Sequence, residues 1–221
     1  MEDHKKLEVH FDHTIIIEDL DQVVNGLQKI VGNDSVSTDY IHKIIYGKDY
    51  WLISNQMTLR GKTPALPDII VWPKTTEQVS QILKLANNHT PSIPVIPYGE
   101  GSGVVGGLVP LKGGIVVDMK YFDHIQINET NMTATIGTGS NGKYVERFLN
   151  ERGFRMGHIP QSLHTSTIGG YFAHRAAGQF SGKYGKFEDI CKAMTIVLPT
   201  GDIVESKFYP RAAVGPMVDR L

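Results

Sequence analysis

Five glycines fall within the eleven residues Pro97-Tyr98-Gly99-Glu100-Gly101-Ser102-Gly103-Val104-Val105-Gly106-Gly107. Directly before them, residues 93–96 read as a short buried strand. A run this poor in side chains lets the backbone turn tightly and lets another group approach it closely. Consecutive free N–H groups in such a loop form a concave nest suited to anionic oxygens, as in a pyrophosphate. A glycine-rich hairpin connection has the same composition, so this segment leaves both readings open.

A second segment favours the nest. It runs Pro160-Gln161-Ser162-Leu163-His164-Thr165-Ser166-Thr167-Ile168-Gly169-Gly170, followed by His174-Arg175-Ala176-Ala177-Gly178 and Lys183-Tyr184-Gly185. Hydroxyls, an amide and small residues alternate here, with no carboxylate before Glu188. Such a surface hydrogen-bonds a polar ring edge and lets a flat ligand lie against the backbone. Local turn and cap bonding would use the same Ser and Thr residues.

The two segments, in this order and at this spacing, resemble the flavin domain of FAD-linked oxidases of the vanillyl-alcohol oxidase type (PCMH-type FAD-binding domain). The branch of glycolate oxidase and D-lactate dehydrogenase is similar, as is the alkyldihydroxyacetonephosphate synthase branch. The resemblance runs from about residue 67 to the end at 221. It implies an α+β fold of two α+β subdomains with FAD between them. The expected division is a helical lead-in over about 1–66, a first subdomain over about 67–125 and an incomplete second over about 126–221.

By the same resemblance, Pro97, Tyr98, Gly99, Glu100, Gly101, Ser102 and Gly103 hold the pyrophosphate. Gln161, Ser162, Leu163, His164, Thr165, Ser166, Thr167 and Gly170 meet the ring and ribityl chain, and His174, Arg175, Ala176 and Ala177 form a third contact. Three positions depart from the family pattern. Glu100 stands where glycine is common, Gly103 where serine is usual and His174 where threonine is frequent. No histidine lies in the glycine loop, which implies non-covalent FAD.

Composition excludes other classes. A formal charge of −1 gives no reason to expect nucleic acid or an anionic membrane as partner. The longest aliphatic runs, such as Ile69-Ile70-Val71, are too short to span a bilayer. Met1-Glu2-Asp3-His4-Lys5-Lys6 has no apolar core behind it, so a cytoplasmic location is the default. The single cysteine, Cys191, reads as a buried small hydrophobe rather than a nucleophile. Nine histidines invite a metal, but none has ligand spacing, and no metal site is expected. Ser162 lacks a G-x-S-x-G elbow, and the glycine loop has neither P-loop nor Rossmann form.

Apolar spacing predicts helices over 20–31, 75–86 and 141–152, with Asp19 or Asp21 capping the first and Thr75 with Gln78 boxing the second. Strands are expected over 69–72, 93–96, 115–118, 125–127, 133–137, 190–198 and 202–205. Residues 35–62 show no clear period.

The family's closing Glu-Gly-Thr-Leu-Gly segment and its cap domain are missing, so catalytic residues cannot be assigned from this chain. Omitting them is expected to expose apolar surface. A partner chain, self-association or the rest of a longer protein would cover it. Three functions stay open: the FAD-binding portion of a flavin oxidoreductase acting on a small 2-hydroxy acid, an ether-lipid synthase of the alkyldihydroxyacetonephosphate type, and a non-catalytic flavin-binding module.

Overall fold

The structure is a computed structural model that describes residues 17–208. The N-terminal hexapeptide and the closing Val218-Asp219-Arg220-Leu221 lie outside the described residues.

Helix α1 (Leu20–Val31) buries Val23, Leu27 and Val31, and stops where Gly32 turns to φ 91°. Asp19 stands at its N-cap without capping it, because His89 Nε2 lies 2.7 Å from its carboxylate. A short 3-10 turn leads to β1 (Val36–Ser37), then α2 (Tyr40–Tyr46), α3 (Leu52–Leu59) and β2 (Ile69–Val71). Two helices and an edge strand thus occupy the stretch where the sequence shows no period. Helix α2 buries only Tyr46 and exposes Tyr40, Ile41 and Ile45, so it has no amphipathic stripe to detect.

Helix α4 (Thr76–Asn88) opens on Thr75, whose Oγ1 accepts from Gln78 N at 3.2 Å. Gln78 Oε1 accepts from Lys74 N rather than from Thr75, so only half of the expected box forms. Strand β3 (Val95–Tyr98) begins and ends two residues later than expected, and Pro97 and Tyr98 are therefore strand rather than loop. Strands β4 (Ile115–Asp118), β5 (Ile125–Asn128) and β6 (Thr133–Ile136) follow, then α5 (Gly142–Asn150) and α6 (Ile168–Ala173). Short helices α7 (Ser181–Tyr184) and α8 (Phe187–Ile190) precede the hairpin β7 (Thr195–Val197) and β8 (Ile203–Glu205). The strand expected over 190–198 shrinks to β7. The apolar residues before it end a helical turn, whose Lys186 N is taken by Asp189 Oδ2 at 2.9 Å. Cys191 is half-buried rather than buried, with its Sγ 3.4 Å from Ala193 O.

Four strands form one sheet in the order β1-β2-β4-β3, with β2, β4 and β3 parallel and β1 antiparallel at one edge. Strands β2 and β4 are buried on both faces, as parallel strands require, and apolar apart from Asp118 at the end of β4. Ile69, Val71, Ile115 and Val117 pack towards α1 and α4; Ile70, Val116 and Trp72 pack with Tyr46. Each such aliphatic side chain contributes about 1.5–3 kcal/mol by leaving water. The segment expected as a helical lead-in thus supplies an edge strand and core side chains to this sheet. A second core joins Val145, Leu149, Ile168, Tyr171 and Phe187 beneath the β5–β6 hairpin.

His158 lies in that second core, fully buried, its ring 4.8 Å from Tyr171 and 5.0 Å from Phe187. Neither ring nitrogen has a hydrogen-bond partner among the described residues, and burial lowers its pKa from the usual 6.5. Folding therefore favours the neutral ring. Its contribution is complete above about pH 6.5 and is lost as pH falls towards the folded value, with a slope approaching ~1.4 kcal/mol per pH unit. Thermal melts from pH 7.5 to 5 should show this loss in the wild type and a shallower one in His158→Leu. Identical acid profiles would contradict it.

Candidate functional site

Strands β3 and β4 are parallel neighbours, so the chain must return the length of the sheet between them. The glycine-rich run makes that return and starts at the carboxyl end of the sheet, where open α/β sheets bind ligands. Pro97 and Tyr98 pair with Val117 and Asp118 and fix the point of departure. Burial pushes the pKa of the Tyr98 hydroxyl up to about 12, helped by the Asp118 charge, so it stays protonated. Gly101 is buried at φ 70°, and a β-carbon there would strike the Tyr98 hydroxyl. Gly103 O accepts from Tyr50 N at 2.8 Å, which ties the loop to the turn between α2 and α3.

The second segment folds against this loop. A β-carbon on Gly99 would lie 2.5 Å from Thr167 Oγ1. Ser102 Oγ and Ser166 Oγ are 3.0 Å apart, and Ser166 also donates to Ser162 O at 2.9 Å. Gln161, Ser162, Leu163 and His164 form a turn, with Gln161 and His164 exposed and Thr165 half-buried. Thr167 caps α6 by accepting from Gly170 N at 3.2 Å. The hydroxyls of Ser166 and Thr167 thus make local bonds, and that of Ser166 also reaches the glycine loop.

Sequence reasoning missed Asn141. As N-cap of α5 it accepts from Lys143 N and Tyr144 N, while its Nδ2 donates to Glu100 Oε1 at 2.8 Å and His164 O at 3.0 Å. One side chain therefore staples the glycine loop to the second segment. An Asn directly before an amphipathic run was the available signal. Glu100 is exposed, and Asn141 directs its carboxylate towards the N-terminus of α5, whose dipole favours negative charge.

The third segment stands apart. His174 follows the last residue of α6, about 10 Å along the helix from Thr167. His174, Arg175 and Ala177 are exposed, and Arg175 takes a left-handed conformation at φ 49°. Ala176 is half-buried and bonds back to Tyr171 O at 2.9 Å. The structure thus joins the first two segments directly and leaves the third at the other end of α6.

A small cleft of about 70 Å³ opens beside the loop, lined by Ile45, Lys48, Asp49, Tyr50, Asn55, Tyr98, Glu100 and Gly101. Among the described residues, no group of three or more His, Cys, Asp or Glu is placed to hold a metal, and no helix is long and apolar enough to cross a membrane.

Comparison with known proteins gives the family. Residues 67–207 match the family described as FAD binding domain, a span that includes both joined segments. The chain belongs to that FAD binding domain family. It is 36% identical over 175 residues to alkyldihydroxyacetonephosphate synthase of Caenorhabditis elegans, covering 76% of this chain and 29% of that protein. It is 32% identical over 143 residues to the glycolate oxidase subunit GlcD of Bacillus subtilis, covering 64% and 30% respectively. A solved alkyldihydroxyacetonephosphate synthase superposes with a TM-score of 0.78 at 29% identity, over 90% of this chain and 40% of that one. This FAD binding domain therefore spans less than half the length of these relatives. Its mixed helices and sheets are the PCMH-type fold, and its cofactor is FAD.

The residues present fit that group. A glycine-rich loop lies at the carboxyl end of the parallel strands, and the hydroxyl-rich turn of 161–167 lies against it. Asn141 draws the Glu100 carboxylate aside towards α5.

Proposed function

We propose that this chain is the FAD-holding portion of a flavin-dependent enzyme. Amides of the loop at Gly99, Gly101 and Gly103 bind the pyrophosphate, and the 161–167 turn orients the ring. The observation that carries this reading is the direct junction of the two segments, Gly99 against Thr167 and Ser102 against Ser166. Bound FAD would supply the redox chemistry, while the protein positions it and sets its electrostatic surroundings. Lys143, whose Nζ lies 3.3 Å from His164 Nδ1 on the turn, adds positive charge at the rim. The absence of histidine from the loop fits non-covalent binding.

For the reaction class, an ether-lipid synthase of the alkyldihydroxyacetonephosphate type is supported by the 36% identical relative and by the superposition at TM-score 0.78. Oxidation of a small 2-hydroxy acid is supported by the 32% identical glycolate oxidase subunit. Exposed apolar residues on α2 and α3, such as Ile41, Leu52 and Leu59, suit contact with further polypeptide or a partner chain.

The purified chain, mixed with FAD and desalted, should retain the visible flavin bands. A colourless protein would contradict the cofactor-holding role. Anaerobic addition of glycolate or D-lactate should then leave the bands intact under the ether-lipid reading. Bleaching would overturn that reading in favour of the 2-hydroxy acid one.

A further inference from the structure

Asp49 is 2% exposed, in the turn between α2 and α3. Its Oδ1 accepts from Trp51 N at 3.0 Å and Ser54 Oγ at 3.2 Å. Its Oδ2 is enclosed and has no hydrogen-bond partner among the described residues. A buried carboxylate oxygen without a donor is costly, so its position calls for a specific reason. Of the donors beside it, Trp51 N and Ser54 Oγ are committed to Oδ1, and Tyr50 N to Gly103 O.

This oxygen lies against the glycine loop. A β-carbon on Gly103 would be 3.4 Å from Oδ2, and Asp49 lines the cleft that also includes Tyr98, Glu100 and Gly101. At about 70 Å³ that cleft is small beside the pockets that enclose whole drug-sized ligands, and it suits a small polar group. Its occupant must donate a hydrogen bond, because an ionised carboxylate only accepts. It must also sit beside the pyrophosphate loop without adding negative charge.

We propose that Asp49 Oδ2 accepts a hydrogen bond from a sugar hydroxyl of FAD adjacent to the pyrophosphate. The inference rests on the FAD reading above. The hydroxyl belongs either to the adenosine ribose or to the ribityl chain, which share this chemistry. Among the described residues the acceptor is unpaired, and the ligand completes it.

The test is titration of FAD, FMN and ADP into the wild-type chain and into Asp49→Asn, together with melting of both proteins without ligand. Asn retains the shape and an acceptor for Trp51 and Ser54 but removes the charged acceptor. FAD affinity should fall about 10- to 100-fold, the range of a hydrogen bond to a charged group. The ligand-free melting temperature should stay within about 2 °C, as for a change that removes no packing. A loss shared by ADP assigns the adenosine ribose, and a loss shared by FMN assigns the ribityl chain. FAD affinity within about twofold of wild type, or a loss that merely follows a lower melting temperature, would overturn the proposal. As a measurement independent of the variant, FAD analogues lacking one hydroxyl each should include one that binds wild type about tenfold more weakly. A series with no such member would overturn it as well. A wild-type chain that binds FAD while Asp49→Asn is unaffected separates this failure from failure of the FAD reading, in which the wild type takes no FAD.

Discussion

Gly101→Ala is expected to lower FAD affinity by at least about 100-fold and to cost about 2–4 kcal/mol of stability. Two effects combine. Position 101 sits at φ 70°, where an L side chain costs roughly 1–2 kcal/mol. The new β-carbon would also strike the Tyr98 hydroxyl and lie 2.9 Å from Tyr98 Cζ. Tyr98 cannot yield cheaply, because its ring meets Tyr46 edge-on at 4.7 Å and packs against the sheet. Gly107 gives the control: among the described residues nothing lies within 4 Å of where its β-carbon would be, so Gly107→Ala should stay within about 0.5 kcal/mol. Adding Tyr98→Phe to Gly101→Ala should recover part of the loss, read as a coupling energy from urea melts and FAD titrations. Wild-type affinity in Gly101→Ala would mean that FAD does not use this loop.

Tyr46→Phe is expected to cost about 3 kcal/mol, measured by urea denaturation, because it takes a hydrogen-bond partner from two buried groups at once. The Tyr46 hydroxyl donates to Asp118 Oδ2 at 2.5 Å and accepts from Trp72 Nε1 at 3.0 Å. Asp118 and Trp72 are both buried, and Lys120 N secures Asp118 Oδ1 at 2.9 Å. Burial raises the pKa of Asp118, and the bond from Tyr46 is the largest opposing cause. Removing that bond raises it further in the folded protein. A carboxyl raised on folding stabilises below its unfolded pKa and loses that contribution as pH rises through the folded value. The cost of Tyr46→Phe should therefore shrink as pH falls, when Asp118 takes a proton. A cost that is constant from pH 8 to 5 would argue that Asp118 is not the group affected. Because Asp118 pairs with Tyr98 across the sheet, the same variant should also loosen the start of the glycine loop.

The expectations that succeeded rest on local chemistry. Helices α1 and α5 follow from their apolar stripes, α4 adds the Thr75 cap, and β2 and β4 follow from uninterrupted aliphatic runs that no helix of so few residues could make. Those that failed had competing long-range partners. Asp19 is a suitable cap by type, but His89, seventy residues away, takes its carboxylate. Residues 190–194 read as the start of a strand, yet Phe187 belongs to the second core and draws the residues up to Ile190 into a helical turn. The two segments proposed to hold FAD stand out in the sequence because each concentrates unusual residues in a short run. Asn141 and Asp49 do not, since a single Asn or Asp has no pattern. Their roles arise only when α5 and the α2–α3 turn are brought to the loop.

Hydrogen exchange with and without FAD reads the backbone amides of both segments in place. Saturating FAD should slow exchange in both 99–103 and 161–167, while amides of the α1–α4 face of the sheet stay unchanged. Protection of only one segment, or protection confined to other parts of the chain, would contradict a flavin site built from the junction of the two.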